Sequence, residues 1–253
     1  MTVRVKDDIL GFGVDCFTVE EGVSRIFSSL CAREKTWLAC FNPHSYVLTL
    51  KNERLARALH EADWLIPDGI GVVMASKISG GRIKARVAAV DIFSGLSKRM
   101  NTMGSMSVFF LGADEKTLTT IDKQMAAVYP NIKVAGHYAP PFKDEYSEAE
   151  ISSMVSAVNS AKPDVLWVGL SAPKQETFIL ENRFLLDATF IAGIGAVFDF
   201  FSGNIRRDPD SWFVNHGLEW LLRLVQEPRR LWRRVFISAP KFVIMVVRQR
   251  FKV

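Results

Sequence analysis

The sequence lacks the apolar run of roughly 18–20 residues that a membrane-spanning helix needs, so we expect no such helix. Its only cysteines, Cys16, Cys31 and Cys40, form no CxxC pair, which argues against a disulfide framework. Near the start, Asp7 and Asp8 stand where a signal peptide would have its apolar stretch. These absences predict a globular protein of a reducing, intracellular compartment.

The 253 residues are 49% hydrophobic and 23% charged, enough for one large domain or for a domain with an appendage. Charge is distributed unevenly. Residues 1–200 hold 21 Lys+Arg and 23 Asp+Glu, whereas residues 201–253 hold 11 and 4, a net charge of +7. A basic end of this kind predicts an anionic partner, which could be lipid headgroups, nucleic acid or a phosphorylated ligand.

Short apolar runs alternate with amphipathic stretches over the first two hundred residues. The runs predict strands at 37–41, 64–66, 107–112, 132–136, 165–169 and 189–194. The stretches between them predict helices at 19–31, 46–61, 91–100, 115–129, 148–160 and 173–185. This order is typical of a Rossmann-like α/β fold, a mostly parallel sheet with helices on both faces. After Gly203 the chain becomes rich in Trp and Arg, so we predict an α/β catalytic domain at 1–203 and a helical basic appendage at 204–253.

One stretch, ADWLIPDGIGVV, places Asp68 and Gly69 between an apolar strand and a helix. The carboxylate has two interpretations: it caps the following helix, or it is a catalytic group at the edge of the sheet. Other predicted strands also end in polar residues or glycines, among them Asn42 and Gly193. Since ligands of doubly wound sheets lie beyond the carboxyl ends of the strands, we expect these residues to converge.

Five motifs occur in order over most of residues 10–235, and together the chain resembles the bacterial WecG/TagA/CpsF glycosyltransferases. They are Asn42-Pro43; PDGIGVV at 67–73; Arg86-Val87 with Asp91; GLSAPKQE at 169–176; and GIGAVFDFFSG at 193–203, followed by GLEWLLRLVQEPRRLWRR at 217–234. The resemblance implies an inverting, metal-independent transferase. Its donor would be a nucleotide-diphosphate sugar, UDP-linked by expectation, and its acceptor a polyprenyl-diphosphate-linked glycan in cell-surface polysaccharide synthesis. No cofactor is implied.

The resemblance also implies roles for particular residues. Asp68 would be the general base, Arg86 would bind the leaving diphosphate, and Gln175 would contact sugar hydroxyls. From the motifs and from positions near them, the predicted substrate-binding residues are Cys40, Asn42, His44, Gly69, Lys174, Gly193, Gly195, Asp199, Arg223, Arg230 and Arg233.

Several of these assignments have ordinary structural alternatives. Arg86 could be a solvated surface residue, Gln175 a helix cap, the two glycines mere packing, and Asp199 the partner of an arginine. Cys40 stands where the family usually has threonine, and it could be a small buried apolar residue.

Metal binding has weak support. Asp208-Pro209-Asp210 spells the DxD motif that many glycosyltransferases use for a metal, but a turn explains it equally well. The histidines, His44, His60, His137 and His216, show no metal-ligand spacing. We therefore expect no metal site.

The segment 229–237, projected at 100° per residue, places four arginines on one arc and Leu231, Trp232, Val235 and Phe236 on the other. A helix of this kind lies flat on the surface of an anionic membrane. We therefore expect the protein to bind peripherally to the cytoplasmic face of the inner membrane. The alternative is a core helix with solvated arginines.

Two further functions compete with the transferase. A dehydrogenase would need a GxGxxG loop after its first strand, and none is found there. A non-catalytic protein with a nucleic-acid-binding tail would show a steep salt dependence, but the tail's pattern favours lipid, so we expect no nucleic-acid partner.

Overall fold

The computed structural model describes residues 4–205 and 219–251. A two-stranded antiparallel hairpin comes first, and a six-stranded parallel sheet follows in the order β4-β3-β8-β7-β5-β6. The strands are β1 (Lys6–Ile9), β2 (Phe12–Asp15), β3 (Thr36–Phe41), β4 (Trp64–Pro67), β5 (Ser107–Gly112), β6 (Lys133–Tyr138), β7 (Val165–Gly169) and β8 (Phe190–Gly193).

Helices connect the strands and cover both faces of the sheet. They are α1 (Val19–Cys31), α2 (Pro43–Thr49), α3 (Glu53–Glu61), α4 (Ile70–Ser79), α5 (Ala89–Met103), α6 (Glu115–Val128), α7 (Glu148–Ala161), α8 (Lys174–Asn182) and α9 (Val197–Phe201). The C-terminal segment, residues 219–251, contains α10 (Glu219–Gln226), α11 (Pro228–Arg233), a π-helix (Arg234–Ser238) and α12 (Ala239–Phe251).

Strand β3 shows why the sheet has a core on each face. Its side chains alternate, so that Trp37 and Phe41 lie in one apolar cluster while Leu38 lies in the other. The first cluster is completed by α2, α3, α4, α7, α8 and α12, and the second by α1, α5, α6 and α9. The predicted α/β architecture with a parallel sheet covered on both faces is confirmed.

Two local differences from the sequence prediction have simple causes. The predicted helix 46–61 is two helices, because the Asn52 side chain accepts a hydrogen bond from the Leu55 amide at 2.9 Å and so starts α3. The hairpin β1–β2 was not predicted. Its strand β1 carries two acids, and the buried Asp7 accepts hydrogen bonds from Ser76 Oγ at 2.6 Å and from the Ile83 amide at 2.9 Å.

We call residues 4–205 the body. The C-terminal segment contributes side chains to the core of the body. Phe242 of α12 is fully buried, with its ring centroid 5.5 Å from that of Tyr46 and 6.4 Å from that of Phe41. Gln249 accepts a hydrogen bond from the Leu10 amide at 3.1 Å. The boundary between 1–203 and 204–253 stays a prediction, and α12 is anchored on the body's side of it.

The helical projection of 229–237 does not hold along its whole length. After Arg233 the backbone forms a π-helix, in which the Ala239 amide bonds to the Arg234 carbonyl across five residues. The angular step per residue therefore changes at this point. Arg233 is exposed, whereas Arg234, predicted on the same arc, is half-buried and faces the body.

Candidate active site

Asp68 follows β4 at the carboxyl edge of the sheet, where its amide donates to the Phe41 carbonyl at 2.8 Å. The next residue, Gly69, has φ +115° and occupies the N-cap position of α4. Only glycine adopts this conformation readily. Gly69, not Asp68, is therefore the N-cap residue of α4, and the half-buried Asp68 carboxylate lies beside the edge.

Cys40 lies one strand away, buried, with Sγ 3.8 Å from the Gly193 carbonyl oxygen. Burial, reinforced by the negative charges of Asp68 and Glu176, holds the pKa of the Cys40 thiol well above its usual value. The thiol therefore stays protonated.

Gln175 connects α8 to the turn after β8. Its Oε1 accepts from the Gly195 amide at 3.1 Å, and its Nε2 donates to Glu176 Oε1 at 2.8 Å. A Cβ atom added at Gly193 would lie 3.3 Å from the Gln175 side chain, and Gly195 has φ +30°. Both glycines thus make room for Gln175, as the packing alternative expects. Contacts of these three residues with a substrate stay predictions.

Glu176 is buried at the same edge, with 2% of its surface exposed. Its Oε2 atom is buried and has no hydrogen-bond partner. Burial raises the pKa of this carboxyl to about 7, against the opposing effects of the Gln175 hydrogen bond and the Arg234 charge. A carboxyl group with such a pKa changes charge near neutral pH.

The turn after β3 presents Asn42 and His44. Asn42 Oδ1 accepts from the His44 and Ser45 amides at 3.0 and 2.9 Å, which makes Asn42 the N-cap of α2. His44 Nδ1 lies 2.9 Å from the Ser238 hydroxyl of the π-helix. Burial and the charge of Arg234 lower the pKa of His44 to about 4, so its ring is neutral at neutral pH.

Arg86 lies in the loop between α4 and α5. The next residue, Val87, donates from its amide to the Pro67 carbonyl at 3.0 Å, which places Arg86 beside the strand end that carries Asp68. The Arg86 side chain is 21% exposed and lies 3.8 Å from an Asp91 carboxylate oxygen. It is therefore not a freely solvated surface arginine, and it belongs to the same edge.

Two predicted binding residues, Lys174 and Arg223, have other contacts in the structure. Lys174 donates from Nζ to the Lys143 carbonyl at 2.6 Å, in the loop before α7. Arg223 pairs with Glu227 at 3.4 Å, and its guanidinium carbon lies 5.0 Å from the centroid of the Phe200 ring. Asp199 lies on α9, next in sequence to the Phe200 that Arg223 contacts.

Other predicted residues are described only in part. Arg233 lies with its guanidinium carbon 5.4 Å from the centroid of the Trp232 ring, on the exposed side of α11. The side chain of Arg230, and both Asp208 and Asp210, lie outside the described residues.

Sequence reasoning missed three residues of this edge: Glu176, Arg234 and Ser238. Glu176 ends the GLSAPKQE motif, and the signal that could find it is a carboxylate next to Gln175 at the start of a helix. Arg234 and Ser238 reach the edge because of the π-helix, for which the sequence has no simple pattern.

Within residues 4–205 and 219–251, no group of three or more His, Cys, Asp or Glu side chains is placed to hold a metal ion. In the same part of the chain, no helix combines the length and the apolar character that crossing a membrane requires.

Comparison with known proteins identifies a family and several relatives of this chain. The model of a family described as "Glycosyl transferase WecG/TagA/CpsF family" matches residues 7–253. A Bacillus spizizenii protein named N-acetylglucosaminyldiphosphoundecaprenol N-acetyl-beta-D-mannosaminyltransferase is 36% identical over 207 residues, 82% of this chain and 77% of its own. Proteins of the same name from Bacillus subtilis and Staphylococcus aureus strain MW2 are 32% and 25% identical, over 84% and 98% of this chain and 79% and 94% of theirs.

Proposed function

Because the chain belongs to the WecG/TagA/CpsF family of glycosyltransferases, we propose that it transfers N-acetylmannosamine from a UDP-linked donor to a polyprenyl-diphosphate-linked N-acetylglucosamine. The acceptor and the sugar are those in the names of the relatives. The observation that supports a catalytic site here is the position of Asp68. It is a half-buried carboxylate beyond the end of β4, next to a helix that Gly69 starts.

In the proposed reaction Asp68 accepts the proton of an acceptor hydroxyl as that oxygen attacks the anomeric carbon of the donor sugar. The new C–O bond forms on the face opposite the departing nucleotide, so the configuration at the anomeric carbon inverts. The bond to the diphosphate breaks, and its electron pair leaves with the nucleotide diphosphate. Arg86, beside the same strand end, would bind that growing negative charge with its forked guanidinium.

We further propose that the protein works as a peripheral protein at the cytoplasmic face of the membrane that holds its lipid-linked acceptor. The C-terminal segment exposes Trp232, Phe236 and Ile237 among its large apolar side chains. It contains eight Lys or Arg and two Glu. Apolar side chains together with basic ones suit the surface of a bilayer with anionic headgroups.

The apolar surface continues on the body close to the proposed base. Ile70 and Met74 of α4 are exposed, and α4 packs against α12. Since α4 starts directly after Asp68 and Gly69, a membrane that contacts this surface would bring a lipid-linked acceptor close to Asp68. A dehydrogenase or a nucleic-acid-binding protein would use neither this surface nor a base at this position.

A donor panel tests the proposal. Purified protein and a short-chain lipid-diphosphate N-acetylglucosamine are combined in three separate reactions. Each reaction contains one donor: UDP-linked N-acetylmannosamine, N-acetylglucosamine or glucose. We expect a disaccharide product only with the N-acetylmannosamine donor, and NMR of the product should show the anomeric configuration opposite to that of the donor. A retained configuration would exclude single displacement, and transfer of glucose alone would contradict the proposed sugar.

A further inference from the structure

The loop between α4 and α5, residues 80–88, carries Arg86 past the end of the edge strand β4. Ile83, before Arg86, is buried in the apolar cluster on one face of the sheet, and Val87, after it, is buried in the cluster on the other face. The loop therefore crosses the edge of the sheet between these two residues. The Val87 amide donates to the Pro67 carbonyl at 3.0 Å, which fixes the far end of the crossing.

The near end of the crossing is held by Asp7, which comes from the hairpin β1–β2. One carboxylate oxygen, Oδ2, accepts hydrogen bonds from the Arg82 amide at 2.6 Å, from the Ile83 amide at 2.9 Å and from the Ser76 hydroxyl at 2.6 Å. The Gly81 amide donates to the Ser76 carbonyl at 2.7 Å. A Cβ atom added at Gly81 would overlap the Asp7 carboxylate, so the loop backbone and the carboxylate are in direct contact.

Asp7 has features that packing alone does not explain. It is buried in a strand, where local preference disfavours aspartate and burial of a charge is costly. Burial raises the pKa of its carboxyl, but the hydrogen bonds from Ser76, Ile83 and Arg82 outweigh it, and the net shift is downward. The carboxylate is therefore ionised at neutral pH, and a charged acceptor binds backbone amides more strongly than a neutral one.

We propose that Asp7 is a positioning residue for the transfer reaction: its carboxylate clamps the backbone at residues 82 and 83 and so fixes the loop that presents Arg86 to the leaving diphosphate. The chain advances four residues from Ile83 to Val87, and each residue spans at most about 3.6 Å, so Arg86 can move little while both ends are held. The role of Arg86 at the diphosphate rests on the proposed function. The clamp on the loop rests on the structure alone.

The first test compares four full-length proteins: wild type, Asp7→Asn, Arg86→Gln and the double variant. Asparagine keeps the size of the side chain but offers the amides a neutral acceptor. Initial rates with a radiolabelled UDP-linked donor give kcat and KM. Asp7→Asn should lower kcat about tenfold, with a smaller change in KM, because a misplaced arginine stabilises the leaving charge less. In the Arg86→Gln background the same substitution should lower kcat less than about twofold.

A purely structural role of Asp7 predicts a different result. Asp7→Asn would then lower kcat by the same factor with and without Arg86, and that outcome would overturn the proposal. Urea unfolding separates stability from positioning, because the loss of stability from Asp7→Asn should be the same in both backgrounds.

Gly81→Ala is a second variant that disturbs the clamp from the side of the loop. Its methyl group would press on the Asp7 carboxylate, so kcat should fall as in Asp7→Asn, and the two losses should not add in the double variant. Wild-type kcat in Gly81→Ala would contradict the clamp.

Hydrogen exchange needs no donor and separates this proposal from the proposed function. Exchange in the peptide 80–88 should be faster in Asp7→Asn than in wild type, because the amides of residues 82 and 83 lose a charged acceptor. Asp8→Asn is the matched control. Asp8 is the next residue, but it is exposed and its carboxylate accepts from the Gly11 amide at 3.0 Å, so exchange in 80–88 and kcat should equal those of wild type.

The two kinds of failure give different results. If Arg86→Gln transfers sugar as fast as wild type, the proposed role of Arg86 is wrong, but faster exchange in Asp7→Asn would still support Asp7 as the clamp of the loop. Equal exchange in wild type and Asp7→Asn would overturn that role.

Discussion

The body and the C-terminal segment differ in how many of their large apolar side chains are exposed. Of the 18 large apolar side chains that are exposed among the described residues, ten lie in the C-terminal segment, although it is much shorter than the body. Yet the segment also has Phe242 and Val246 fully buried in a core shared with β3 and α2. The body thus exposes few large apolar side chains for its length. The segment buries one apolar face against the body and leaves another apolar face exposed.

The largest expected effect tests whether the two regions are one folding unit. Phe242→Ala should destabilise the whole protein by about 3–5 kcal/mol, because it leaves a cavity beside Tyr46 and Phe41. Val243→Ala is the matched control. Val243 is next to Phe242 in the sequence, but its side chain is 43% exposed, so truncating it should destabilise the protein little. Urea unfolding followed by far-UV circular dichroism measures both. A body that unfolds at the same midpoint in Phe242→Ala would make the segment an independent appendage.

The next effect tests whether the chemistry belongs to the body. Asp68→Asn should reduce transfer by on the order of a hundredfold or more with the fold unchanged, as expected for loss of a general base. Asp187→Asn, in an exposed loop of the body, is the control. Initial rates of product formation at saturating donor give the ratio. Wild-type turnover by Asp68→Asn would remove Asp68 from the mechanism.

A smaller effect tests whether the exposed face of the segment meets a membrane. Replacing both Trp232 and Phe236 with serine should weaken binding to vesicles containing anionic lipid by about tenfold, since apolar area no longer enters the interface. Phe184→Ser removes a side chain that is 79% exposed on the body, and it should have no effect. Co-sedimentation with vesicles measures the membrane binding of both variants. Equal losses in both would show that the segment has no special role.

The fourth prediction concerns β6, an edge strand of the sheet that lies far from the C-terminal segment and carries His137. Its ring nitrogens lie 2.6 Å from Asp122 Oδ2 and 3.0 Å from Glu115 Oε1. Burial lowers the pKa of His137, but these carboxylates outweigh it, and the net shift is upward.

A histidine with a raised pKa stabilises the fold below its ordinary pKa of 6.5, and that contribution disappears as the pH rises through the folded value. His137→Gln should therefore lose up to about 1 kcal/mol relative to wild type at about pH 5.5, and less at about pH 8.5. Urea titrations at the two pH values measure the difference. A gap that widens with increasing pH would contradict this sign.

The smallest expected effect is none at all. Transfer should continue in excess EDTA if, as we propose, arginines of both regions, among them Arg86 and those of the C-terminal segment, bind the diphosphate in place of a metal ion. Activity lost with chelator and restored by Mg²⁺ or Mn²⁺ would instead identify Asp208 and Asp210, between the two regions, as metal ligands.

The sequence predicts the body well because each strand of its central sheet is a short apolar run between helices. Asp68 can be placed for the same reason, since its position depends only on the end of β4 and on Gly69. Hairpin β1–β2 cannot be predicted in this way. Asp7 lies in a strand because Ser76 and the Ile83 amide, distant in sequence, hydrogen-bond its carboxylate, whereas local preference disfavours aspartate in strands.

The polar contacts at the edge depend on long-range geometry in the same way. Arg234 and Arg233 are identical in type and adjacent, and a regular helix would place them on one arc. The structure instead forms a π-helix from Arg234, with Ser238 on His44, and Arg234 is half-buried whereas Arg233 is exposed. No pattern of neighbouring residues contains the contact between Ser238 and His44, because these residues are 194 positions apart in the sequence.

The position of β8 has a consequence for how the protein is made. This last strand lies between β3 and β7, so it joins a pair of strands made early to three made later. Until the ribosome has released residues 190–193, β3 with β4 and β7 with β5 and β6 are separate half-sheets with unpaired edges. Asp68 belongs to the first half and Glu176 to the second. The nascent chain therefore has no assembled site at any earlier stage, and its exposed edges need protection from other chains during that interval.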